Sequence, residues 1–122
     1  MILDVLRLRT ALAMLAGVIL AAPAAASPRE DVQRIGLQPL YGALVAVANC
    51  PLLAIDQPRF RAVASQYHLT PEDLTLQGPF AAEIARLARF YRIRVLDDRE
   101  AFCSAARLTN DVVVGILKDA PR

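Results

Sequence analysis

The two cysteines, Cys50 in VANCPLL and Cys103 in REAFCSAARL, are the only thiols in 122 residues, and their state decides what the chain can fold into. A bond between them ties the middle of the chain to its C-terminal region. Pairing needs an oxidising compartment, so the N-terminus bears directly on the fold. There, MILDVLRLRT places Arg7 and Arg9 ahead of the apolar run Ala11 to Ala22, and APAAASPRE follows at once. Basic, apolar and small residues in that order are the pattern of a Sec-type signal peptide. The apolar run is about a dozen residues, against the roughly 20 that cross a bilayer. Small residues at Ala24 and Ala26 predict cleavage after Ala26, giving a leader over 1–26 and one small domain over 27–122. Periplasmic or secreted localisation is the expectation.

With an oxidising destination and two thiols, the expected arrangement is one structural disulfide, Cys50 to Cys103. Competing roles lack partners. There is no C-x-x-C for dithiol exchange, and the one histidine, His68, is the only base a cysteine nucleophile could use. Two cysteines and one histidine without motif spacing do not make a zinc site. Neither metal nor cofactor is expected.

Charge narrows the partners. Losing Arg7, Arg9 and Asp4 with the leader takes 14 basic and 12 acidic residues to 12 and 11. That near-neutral balance argues against nucleic acid, whose phosphates call for a concentrated basic surface. Thirteen of the fourteen basic residues are arginine, and alanine is abundant, a composition that suits a GC-rich bacterial genome.

Helix signals dominate the mature chain. Ser27, Pro28 and Glu30 form a capping-box pattern for a helix to about Ile35. Gly36 is expected to break it, and Pro39 to open a second helix through Leu40, Tyr41, Leu44 and Ala48 that closes near Asn49, Cys50 and Pro51. Asp56 caps a third helix with Phe60, Val63, Ala64 and Tyr67 at helical spacing. Thr70 and Pro71 start one or two turns, which Gly78 stops, and Pro79 starts a helix reaching about Arg94. In that helix Phe80, Ile84, Leu87, Ala88 and Tyr91 share one face, while Arg86, Arg89 and Arg92 lie opposite. Asp97 with Glu100 is a further capping box, opening a helix through Phe102, Cys103 and Ala106. TNDVVVGIL is rich in β-branched residues, but a strand there has no evident partner, so helix or irregular tail is favoured over 110–118. The fold class is all-α: a small orthogonal bundle of four to six helices with one disulfide.

No phosphate loop, nucleophile elbow or metalloprotease motif is present, and the paired acids Glu72/Asp73 and Asp97/Asp98 suit helix starts better than acid–base chemistry. An enzyme is not expected. From Ile35 through Ile55 no residue is charged, which marks a central helix or a partner groove, and its interruptions by Pro39, Gly42 and Pro51 exclude a stable membrane span. Candidate interaction residues are Leu40, Tyr41 and Leu44 of this segment and Arg86, Arg89 and Arg92 of the arginine-rich helix. A non-enzymatic interaction module for another envelope protein, whether adaptor, inhibitor or accessory subunit, is the leading expectation. In architecture alone the chain is similar to the acid-activated periplasmic chaperones, which are also small, helical and held by one disulfide. It shares no motif with them, and no residue is carried over. A lipid or small-ligand binder using the uncharged 35–55 segment is the third expectation.

Overall fold

The computed structural model describes residues 27–113 and 115–121, and the expected leader over 1–26 lies outside them. Helix α1 (Pro28–Asn49) runs through the centre of the molecule. Strand β1 (Leu53–Ile55), helix α2 (Gln57–Gln66) and a 3₁₀ turn (Pro71–Leu74) follow, then α3 (Ala81–Asp97), α4 (Arg99–Val113) and strand β2 (Leu117–Asp119). Helices dominate, as the sequence predicts.

The cap read at Ser27 is present: its Oγ accepts from the Glu30 amide at 3.2 Å, and Pro28 occupies the first turn. The helix it opens does not end near Ile35. It continues unbroken through Gly36 and Pro39 to Asn49, so the two expected helices are one. The reason is tertiary. A Cβ on Gly36 would lie 2.5 Å from Cγ of Tyr67, so this glycine is the notch into which the Tyr67 ring packs. Pro39 removes one intrahelical donor, a local cost that burial on the same helix outweighs. Leu37, Leu40, Ala43 and Ala46, each 0–2 % exposed, recur every three residues and form the spine of the core.

α2 starts as expected, with Asp56 Oδ1 accepting from the Arg59 amide at 3.2 Å. It ends in a Schellman motif: the Leu69 amide donates to the Ala64 carbonyl (2.9 Å) and the His68 amide to the Ser65 carbonyl (3.0 Å). His68 takes the left-handed position, φ 54°, that glycine normally fills. In the 3₁₀ turn the buried Asp73 carboxylate accepts from both the Thr70 amide (2.7 Å) and the Thr70 hydroxyl (3.0 Å).

A single residue, Asp98, separates α3 from α4. It is Asp98, and not the expected Asp97, that caps α4, with Oδ1 accepting from the Ala101 amide at 3.0 Å. Beyond α4 the expected helix or irregular tail gives way to a strand. β2 pairs antiparallel with β1 in the register Leu53 to Asp119, Ala54 to Lys118 and Ile55 to Leu117. The ladder continues through Asp56 N to Ile116 O and Ala120 N to Leu52 O, both 2.9 Å. A two-stranded ribbon is marginal alone. This one lies over the core, with Ile116 fully buried and Leu53 and Leu117 nearly so. Cys50 and Cys103 form the expected disulfide, Cα to Cα 5.8 Å, joining the end of α1 to α4.

Candidate functional site

A trough of about 690 Å³ lies between α1 on one side and α3 with α4 on the other. Sequence builds it from contrasts of side-chain size. On α1, Pro39, Gly42 and Ala43 present little bulk, and on α4 Ala101, Ala105 and Ala106 do the same. The aromatic rings of α3 and α4 supply the wall. Tyr91 is central to it, its ring centroid 5.3 Å from that of Phe90, 6.1 Å from Phe102 and 6.3 Å from Tyr41. Gly42 permits this approach, since a Cβ there would lie 2.6 Å from the Tyr91 hydroxyl. That hydroxyl donates to the Gln38 carbonyl at 3.4 Å.

Burial of Tyr91 raises its pKa above the ordinary tyrosine value, because a phenolate would be poorly hydrated there; the hydrogen bond to Gln38 and the nearby Arg94 charge offset part of that rise. At neutral pH the ring is a neutral donor on an apolar wall. The polar groups of the trough sit at its rim, where Arg94, Asp97 and Asp98 are exposed. Arg94 is also seated over the Phe90 ring, 4.5 Å from its centroid.

The sequence-derived candidates fall into separate environments. Leu40 is 0 % exposed, a core residue with no surface to offer. Tyr41 is half-buried and packs against Tyr91. Leu44 faces a second concavity, of about 630 Å³, that also includes Phe60, Leu69 and His68. Arg86, Arg89 and Arg92 are exposed along α3, on the side away from its buried Ile84 and Leu87. Glu83, three residues before Arg86, pairs instead across helices: its Oε1 accepts from Arg34 Nε of α1 at 3.3 Å. His68 is exposed, and its backbone carbonyl accepts from Gln33 Nε2 at 2.7 Å.

Sequence reasoning missed Phe90, Ile93 and Leu96. They fall outside the buried face of α3, and that position was itself the signal, since large apolar side chains among arginines have no place in the core. Their exposures are 41, 69 and 76 %. Among the described residues no group of three or more His, Cys, Asp or Glu is placed to hold a metal ion, and no helix is long and apolar enough to cross a membrane. No protein-family model, curated protein or solved structure matches the chain.

Proposed function

We propose that residues 27–122 act as an exported, non-enzymatic interaction module that seats an apolar segment of an envelope protein in the trough between α1, α3 and α4. The observation that carries this reading is the trough itself: its α1 wall is the uncharged segment, and its opposite wall is aromatic. At 1.5 Å per helical residue its walls run about 12 Å along both α1 and α4, a little over two helical turns of a ligand. Apolar walls with charged groups of both signs at the rim suit a chain segment, whose side chains fill the trough while its polar ends meet Arg94, Asp97 and Asp98.

The test is a photo-crosslinking side chain placed at Ala105 on the trough wall, with exposed Gln77 as the control position. An adduct of defined mass at Ala105, absent at Gln77 and absent when Ala106→Phe fills the trough, supports the reading. Adducts indistinguishable between the two positions remove it.

A second reading draws on the volume, which lies in the range of small-molecule sites. Here the trough holds a lipid chain or another apolar small molecule. Native mass spectrometry of protein taken from the envelope separates the two readings: a stoichiometric bound mass below about 1 kDa supports the ligand, and a clean unliganded spectrum supports the protein segment.

A further inference from the structure

Phe90 and Arg94 edge the trough, and the rest of the outer face of α3, with Arg86, Arg89, Arg92, Ile93 and Leu96, lies outside it. Four arginines, Arg86, Arg89, Arg92 and Arg94, lie within nine residues and are all exposed. Among the described residues none of the four makes an ion pair. Two acids neighbour them on the same helix: Glu83, three residues before Arg86, is engaged by Arg34, and Asp97, three residues after Arg94, is exposed at the C-terminal end of the same face, where the four arginines outnumber it. Between the arginines Phe90, Ile93 and Leu96 project into solvent. At 100° per residue these three span an arc of about 120°, with Arg92 on one flank and Arg94 on the other. Arg94 stacks its guanidinium over the Phe90 ring, a cation–π contact that keeps the charge beside the apolar residue.

We infer that this face of α3 is a docking surface for an anionic phospholipid bilayer, with Phe90, Ile93 and Leu96 entering the headgroup boundary and the four arginines meeting lipid phosphates. Charge selects this occupant. A second copy of the chain pairing through the same face would set arginine against arginine. A protein partner needs a concave apolar surface lined with carboxylates to match a convex helix, whereas a fluid headgroup layer conforms to one. The pattern of apolar residues flanked by basic ones is that of helices lying in a membrane interface. The opposite face of α3 is committed to the core through Ile84 and Leu87, so the helix bridges the bundle and the lipid.

The test uses the chain's lack of tryptophan. An Ile93→Trp variant of the full chain carries a single reporter on the inferred face, which reads α3 whatever residues 1–26 do. With vesicles containing about 30 mol % phosphatidylglycerol its emission should move to the blue, with little change on pure phosphatidylcholine, and about 0.5 M salt should reverse the shift. Adding Arg89→Glu and Arg92→Glu should weaken partitioning by more than about tenfold, since each basic group beside an anionic surface contributes roughly fivefold. Circular dichroism melts establish that these variants remain folded, and the salt reversal on the Trp variant stands in if they do not. No shift on vesicles of either composition overturns the inference, and so does an equal shift on both. A shift with poly-glutamate but not with vesicles also overturns it, assigning the face to an acidic protein.

Discussion

His68 shows what one residue's conformation costs. It holds the left-handed position of the Schellman motif at φ 54°, where a Cβ is penalised by about 1 kcal/mol and glycine is not. Its contacts through the backbone survive substitution, because Gln33 bonds the His68 carbonyl and Ser65 accepts from its amide. His68→Gly should therefore raise unfolding free energy by about 0.5–1 kcal/mol in urea titration. Tyr91 predicts a pH effect of known sign. Its folded pKa is raised above the unfolded value of about 10, so the native state holds the phenolic proton more tightly than the unfolded chain does. The stabilisation is complete below pH about 10 and is lost as pH climbs through the folded value. Denaturant midpoints followed from pH 8 to 11 should fall more steeply in wild type than in Tyr91→Phe. The caps at Ser27 and Asp56 were legible because the acceptor and the amide it serves lie within three residues. Gly36 was misread for the opposite reason: its partner, Tyr67, is 31 positions away, and nothing local separates a notch from a break.

At the scale of elements, helices declared themselves through period and capping, while the ribbon stayed hidden. β1 is three residues long and follows Pro51, so LLAI reads as a connector, and without it the β-branched run before β2 has nothing to pair with. Two short strands distant in sequence carry too little pattern to announce each other. Their contribution to stability comes from what they bury, and Ile116, fully buried just before β2, is the anchor. Ile116→Ala should cost about 2–5 kcal/mol through lost burial and the cavity left behind. In hydrogen exchange the same change should lower protection of the Asp56 amide, which donates to the Ile116 carbonyl, more than that of the amides inside α3. Uniform loss of protection would mean the ribbon opens only with the whole fold. The trough was half legible. Its α1 wall showed as an uncharged segment, but the facing wall depends on how α3 and α4 cross, and periodicity gives a helix its buried face without saying which neighbours leave a gap.

For the whole molecule, the disulfide closes a long arc of chain. Cys50 and Cys103 are 53 positions apart, and the bond holds the last turn of α1 against α4 while α2, the 3₁₀ turn and α3 lie within the loop it closes. Cross-linking a loop of that length restricts the unfolded chain by about 4 kcal/mol in the entropic account, a large share of the 5–15 kcal/mol typical of a small domain. A small core makes that share matter, since domains of this size bury a lower fraction of their surface than larger ones. The two ends of the crosslink also bear on the proposed function, because α1 and α4 are opposite walls of the trough. Replacing both cysteines with alanine should lower unfolding free energy by about 2–4 kcal/mol, read as a shift in denaturant midpoint with reductant giving the same shift in wild type. If the folded double variant keeps its circular dichroism but loses the Ala105 crosslink, the bond sets the width of the trough as well as stability. If the midpoint is unmoved by both substitution and reductant, the helical packing holds α1 and α4 together unaided, and the constraint on the unfolded chain is offset elsewhere.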